Sequence, residues 1–215
     1  MPRAAIRFTC QSCGYESPKW MGKCPHCGEW NSMGEEVVHP AQKSPRTALP
    51  QVLPLRRLPE GREPRLDTGM PELNRVLGGG LVPGSLVLVG GDPGIGKSTL
   101  LLQLSHALAL SGLTVLYVSG EESLQQTRLR AERMSAFSDQ LLVLAETELP
   151  LILQAAESHL PVLMVVDSIQ TLYHPDLPSP PGSVAQVREC TTHLMRLAKT
   201  KNIATVLVGH VTKEG

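Results

Sequence analysis

The sequence predicts an α/β protein, with a mostly parallel sheet around a phosphate-binding loop and a small four-cysteine module ahead of it. Three observations carry that reading. From about Arg65 onward, short apolar runs of strand length alternate with segments of helical apolar spacing, the pattern of a parallel sheet covered on both faces. The stretch "GDPGIGKS" (91–98) fits G-x-x-x-x-G-K-[ST] between a predicted strand and a predicted helix. Two Cys-x-x-Cys pairs, Cys10/Cys13 and Cys24/Cys27, stand close together near the N-terminus.

Composition agrees. The chain has 215 residues, room for one ordinary domain and a small module. Hydrophobic residues make up 41% and aromatics only 3%, so the core must rest on Leu, Val, Ile and Ala, as in buried parallel sheets. The formal net charge is zero. No global field draws the chain to nucleic acid or membrane, and such binding would need local patches. The opening "MPRAAIRFTCQS" lacks the apolar core of a signal peptide, and no apolar run is long enough to span a bilayer. A soluble, cytoplasmic protein without membrane contact is expected. Four of the five cysteines are grouped, which suits a metal site in a reducing compartment better than disulfides.

The elements follow in order. Residues 1–34 form a cysteine-rich knob too short to bury a core of its own. Residues 35–64 read as an extended linker, with Pro40, Pro45, Pro50, Pro54, Pro59 and Pro64 at nearly even spacing. Residues 41–65 are basic: Lys43, Arg46, Arg56, Arg57, Arg62 and Arg65 against Glu60 and Glu63. That charge serves either solubility and reach or contact with a phosphate backbone. Beyond it, strands are predicted at 85–91, 114–119, 141–145, 161–168 and 203–210. Helices are predicted at 97–112, 121–137, 148–159 and 184–202. The 168–183 segment holds four prolines and no obvious secondary structure, and a loop of that length in a compact domain is usually functional or mobile. Tyr173 within it is a candidate to stack on a base.

The four cysteines fit a closed tetrahedral site, with Cys10, Cys13, Cys24 and Cys27 as zinc ligands. Gly14 and Gly28 let backbone N–H groups turn back toward the sulfurs, and His26 is not needed as a ligand. A pair of redox dithiols would require a thioredoxin-like context that is absent. Metal binding supplies the folding energy that the knob lacks. Cys190, alone in a helix, reads as an inert core residue.

The phosphate cradle comprises Gly91, Asp92, Pro93, Gly94, Ile95, Gly96, Lys97, Ser98 and Thr99. Its glycines let backbone N–H groups surround the phosphates of a nucleotide, and the helix N-terminus adds positive potential. Lys97 is expected at the β- and γ-phosphates and the Ser98 hydroxyl on Mg²⁺. Asp167, at the tip of a buried strand, is the second magnesium partner. Glu121 and Glu122 end another strand. Glu121 is favoured as the base that activates water, while Glu122 also suits a helix N-terminus. His210 reads equally as a γ-phosphate sensor or as a surface histidine at a strand end.

A glutamate at the end of a separate strand, rather than beside Asp167, resembles the RecA-like branch of P-loop ATPases. The combination is narrower. "TGMPELNRVLGGGLVPGSLVLVGGDPGIGKSTLLLQ" (68–103), "YVSGEES" (117–123), "VVDSIQT" (165–171), "PGSVAQVREC" (181–190) and "VGHVTKEG" (208–215), behind a four-cysteine finger, resemble the bacterial RadA (Sms) family of DNA repair ATPases across essentially the whole chain. The resemblance implies a RecA-like ATPase domain over 65–215, DNA-dependent ATP hydrolysis, and binding of single-stranded and branched DNA. It also implies a recombinase and a replicative helicase as partners, a ring-shaped homo-oligomer, and a DNA-binding role for the 168–183 loop. The zinc module would be a handle for DNA or a partner. The family carries a Lys-Asn-Arg-Phe-Gly motif and a Lon-protease-like domain beyond the point matching Gly215. On that comparison the ATPase domain is incomplete at its C-terminal end, and these 215 residues alone are expected to bind ATP but turn it over slowly. Two other readings stand beside this one: an ATPase of the KaiC type, and a DNA-binding scaffold that holds nucleotide without hydrolysing it. ATP turnover with and without single-stranded DNA separates them.

Overall fold

The structure, a computed structural model, describes residues 5–38, 53–57 and 64–210. The first cysteine ends a strand of a small antiparallel sheet. β1 (Ala5–Cys10) pairs with β2 (Glu16–Ser17) on one side and β3 (Met33–Val38) on the other. β3 carries the module to Val38, past the boundary expected at residue 34. Cys10, Cys24 and Met33 form its buried interior, with Phe8, Cys13 and Met21 packed against them. Cysteines and methionines thus take the place of a larger apolar core.

Most of the linker lies outside the described residues, including Lys43, Arg46, Glu60, Arg62 and Glu63, as do residues 211–215. Arg56 and Arg57 are exposed in a short 3-10 turn, Leu55–Arg57.

The larger unit begins with α1 (Pro71–Val76). Five strands and four helices then alternate: β4 (Leu86–Gly91), α2 (Lys97–Leu110), β5 (Val115–Ser119), α3 (Leu124–Arg133), β6 (Leu141–Ala145), α4 (Leu149–His159), β7 (Leu163–Asp167), α5 (Val184–Lys201) and β8 (Ala204–His210). The sheet order is β4-β8-β7-β5-β6 and every pairing is parallel, so the predicted α/β class holds.

The two-residue period of a strand sorts its side chains between two cores. Val115 and Tyr117 of β5, with Leu163 and Val165 of β7, face Leu101, Leu104 and Leu108 of α2. Leu116, Val118, Met164 and Val166 face the other way, onto Ile152 of α4 and Leu194 of α5. Strands covered on both faces have no polar side, which is why they read as unbroken apolar runs.

Two local departures from the expected elements matter at the site. The helix predicted from residue 121 starts at Leu124, because Ser123 and Gln126 form a reciprocal capping box. Glu121 and Glu122 therefore precede the helix. The 168–183 loop contains a 3-10 turn, Ile169–Thr171, with Ile169 and Leu172 buried. The buried side chain of Gln186 accepts from the His174 N–H and donates toward the carbonyls of His174, Leu177 and Ser179. One glutamine thus replaces the ladder that this stretch lacks.

Truncating a buried side chain between α5 and the sheet tests this packing. Leu194→Ala is expected to destabilise the protein by about 2–5 kcal/mol in urea unfolding. Met195→Ala, 40% exposed beside it, should change stability by less than about 0.5 kcal/mol. Equal effects at the two positions would contradict the placement of α5.

Candidate nucleotide site and metal centre

β4 ends at Gly91, and the chain turns through 92–96 into α2. The turn needs backbone angles that side-chain-bearing residues rarely adopt: φ is +79° at Gly94 and +100° at Gly96. α2 starts at Lys97 with no acidic residue in its first turn. The N–H groups of that turn lack intrahelical carbonyls and present positive potential. The Lys97 amine is 7% exposed as a residue and donates to the carbonyls of Gly91 at 2.7 Å and Asp92 at 2.9 Å. A buried amine over a glycine-bounded turn and a helix N-terminus is chemistry that fits a polyphosphate.

Three further strand tips complete the arrangement. After β5, Gly120 donates its N–H to the Asp167 carbonyl at 2.7 Å. A Cβ there would stand 2.0 Å from the Thr171 hydroxyl oxygen, so only glycine lets β5 and the turn after β7 approach so closely. That approach brings Glu121 to Ser168, whose hydroxyl donates to Glu121 Oε1 at 2.6 Å. His210, ending β8, places Nε2 3.1 Å from the same oxygen and Nδ1 3.5 Å from the Lys97 amine. The Ser168 hydroxyl, then His210 and Lys97, outweigh partial burial and hold the Glu121 carboxyl below its ordinary value of 4.5. Asp167 ends β7 and is 6% exposed. The Tyr117 hydroxyl donates to its Oδ2 at 2.6 Å, and burial and that carboxylate push the Tyr117 hydroxyl far up, so it remains a donor. The Asp167–Ser168 peptide is cis.

Lys97, Ser98, Thr99, Glu121, Arg130 and His210 line one cleft of ≈ 280 Å³ with Pro93, Gly94 and Gly96. Asp167 is not among the lining residues, but its Oδ2 lies 3.9 Å from the Arg130 guanidinium. Glu122 is not part of the lining either. Its backbone is tied to the Ser119 hydroxyl and its carboxylate pairs with Arg130. Arg130 is the cleft residue that sequence reasoning missed. The one available signal was an arginine eight positions after Glu122, which means little until the helix start is known. A larger groove of ≈ 410 Å³, lined by Leu124, Ala131, Phe137 and Val143 among others, involves none of the phosphate-loop residues. Tyr173 is half-buried, and its backbone is bonded to Thr147 and Leu149. Its ring is thereby held against the start of α4.

The four cysteine sulfurs lie within 4.8 Å of one another. Cys10 to Cys27 and Cys13 to Cys24 are each 3.6 Å apart. A zinc–thiolate tetrahedron with bonds of ~2.3 Å has edges of ~3.8 Å, whereas a disulfide needs ~2.05 Å, so the set fits zinc. The N–H groups of Gly14 and Gly28 close the two turns onto the carbonyls of Cys10 and Cys24, rather than onto sulfur. His26 stacks on Tyr15 instead of joining the cluster. Glu16 of this module accepts from Arg188 of α5 at 3.2 Å. Cys190 is fully buried, and burial pushes its thiol up to about 11, which leaves it unreactive.

Comparison with known proteins follows the same division. The AAA domain family matches residues 53–215, and the rubredoxin metal binding domain matches residues 8–35. The DNA repair protein RadA of Halalkalibacterium halodurans is 57% identical over 223 residues, which takes in 100% of this chain and 48% of the relative. That of Listeria monocytogenes is 58% identical over 219 residues, 99% of this chain and 48% of the relative. That of Bacillus subtilis is 54% identical over 222 residues, 100% of this chain and 48% of the relative. The chain spans about half the length of the curated relatives it matches. A phosphate loop under an α/β sheet, a four-cysteine ribbon ahead of it and these identities agree, and the chain belongs to the AAA domain family, where it matches the RadA proteins over the part they share.

Proposed function

We propose that this chain is the nucleotide-handling part of a DNA repair ATPase, with a structural zinc module (1–34, extended by β3), a basic linker (35–64) and an ATPase domain (65–215). The observation that carries the reading is the Glu121 carboxylate, fixed by Ser168 and His210 at the cleft that Lys97 also lines.

In this reading Gly91–Thr99 cradle ATP, and Lys97 exchanges the carbonyls of Gly91 and Asp92 for phosphate oxygens. Ser98 and Asp167 would hold Mg²⁺, which neutralises phosphate charge when bound. Glu121 orients a water toward the γ-phosphorus. The water oxygen bonds to phosphorus as the bond to the bridging oxygen of ADP breaks, and the water proton passes to Glu121 or solvent. A carboxylate held below its ordinary range is a weak base, so Glu121 acts mainly by positioning. His210 positions Glu121 and links it to Lys97. Glu122 is a holder for Arg130, not the base.

The relatives' name, DNA repair protein RadA, supports DNA as the effector. Exposed Arg56 and Arg57 supply local positive charge, and the 168–183 loop leaves the sheet at the edge where the site lies. We extend the proposal to single-stranded and branched DNA, to a cytoplasmic setting, and to a recombinase, a replicative helicase and ring assembly for the longer relatives, on the resemblance described above.

The zinc module is checked by native mass spectrometry: one Zn²⁺ per chain is expected, lost in Cys24→Ser, and unchanged zinc in that variant would contradict the ligand set. For the cleft, Lys97→Ala should weaken ATP binding by about tenfold or more. Glu121→Gln should keep binding and lose about 10²-fold or more in turnover, measured with and without single-stranded DNA. The same pattern in Glu122→Gln would move the assignment one position. Because its carboxyl sits below 4.5, Glu121 stays ionised as pH falls from 8 to 5, so its protonation should set no acid limb in that window. A limb there in wild type that disappears in Glu121→Gln would contradict the lowered carboxyl and make Glu121 a base rather than a positioning group.

A further inference from the structure

Arg130 lies on α3, and its guanidinium reaches the cleft that Lys97, Ser98 and Glu121 also line. Its side chain is 27% exposed and sits between two carboxylates: it pairs with Glu122 and lies 3.9 Å from Asp167 Oδ2. Both partners are themselves fixed, Glu122 through its backbone to the Ser119 hydroxyl and Asp167 by the Tyr117 hydroxyl. The guanidinium is therefore aimed, not free to wander. It carries five N–H donors in a planar fork, more than these contacts use.

The charge balance of the cleft asks for such a group. Lys97 approaches from the loop side, where it rests on the carbonyls of Gly91 and Asp92 until phosphate replaces them. At the strand-tip side the lining residues are Glu121 and His210, and Glu121 is held ionised. A terminal phosphate arriving there meets a like charge on that side, and a cation at the strand tips would offset it in addition to Lys97 and Mg²⁺. Arg130 is the arginine among the lining residues, and a guanidinium matches phosphate oxygens two at a time.

Resting on the ATP-site reading above, we propose that Arg130 is a specificity-determining residue that reads the γ-phosphate, with Glu122 as its positioning partner, so that the site distinguishes a nucleoside triphosphate from a diphosphate. The cation is supplied within one chain, from two turns into α3.

The test is equilibrium binding by calorimetry, with Mg²⁺ and either a β,γ-imido ATP analogue or ADP, on the 215-residue chain. Arg130→Ala should lose roughly tenfold or more in affinity for the triphosphate analogue, and less than about twofold for ADP. Arg130→Lys should recover part of the difference, because it keeps the charge and loses the fork. Glu122→Gln should fall between wild type and Arg130→Ala. Equal loss for both nucleotides in Arg130→Ala and Arg130→Lys would mean a merely structural role and overturn the proposal. So would an unchanged triphosphate-to-diphosphate ratio in a wild type that binds both, which leaves the ATP site standing. Wild type that binds neither nucleotide would overturn the ATP-site reading and this proposal together. Should Arg130→Ala fail to fold, the ratio in Arg130→Lys decides.

Discussion

The parallel direction of all five strands is the constraint on which the site depends. Every pairing runs the same way, so every carboxyl end opens on one edge. The order β4-β8-β7-β5 then sets four tips side by side. These tips carry the phosphate turn, His210, Asp167 and Glu121. Had one of the inner strands run the other way, its functional residue would sit a strand's length away, on the opposite edge. The two apolar cores exist to hold this direction: helices on both faces bury the side chains that alternate up and down each strand, and burial on that scale is what a parallel sheet requires.

Within that edge, the decisive local event is the close approach of β5's end to the turn after β7. Gly120 permits it, and Thr171, with Thr147 beside it, occupies the space a side chain would have filled. The result is a carboxylate with both a hydroxyl and an imidazole on one oxygen. Such a group gives up basicity for position. In phosphoryl transfer that exchange costs little, because catalysis rests on placement and charge rather than on strong general bases. Charges of both signs are arranged the same way here: Lys97 rests on carbonyls, Arg130 on carboxylates, and Asp167 on a tyrosine hydroxyl.

The phosphate loop, the strands and the four-cysteine cluster were legible because each is a local pattern. A glycine turn between strand and helix, an apolar run and a Cys-x-x-Cys pair carry their meaning in a few residues. What the reading missed was partly local and partly set by contacts distant along the chain. The start of α3 turned on the capping box of Ser123 and Gln126, a local pattern that the helix predicted from 121 passed over. That shift alone moves Glu122 out of the helix and gives it to Arg130. The 168–183 loop read as structureless because its order comes from Gln186, beyond its end. The small sheet of the zinc module was missed because its strands are short and its interior is cysteine and methionine rather than an apolar alternation.

The central claim is that the Glu121 carboxylate and the phosphate loop face a single bound nucleotide. A crystal structure of the chain with Mg²⁺ and a non-hydrolysable ATP analogue tests it most directly. The account predicts phosphates on the N–H groups of 94–99, the Lys97 amine moved from the carbonyls of Gly91 and Asp92 onto phosphate oxygen, and one water bridging Glu121 and the γ-phosphate. Phosphates bound elsewhere, or a Glu121 still closed on Ser168 and His210 and out of one water's reach of the γ-phosphate, would contradict it.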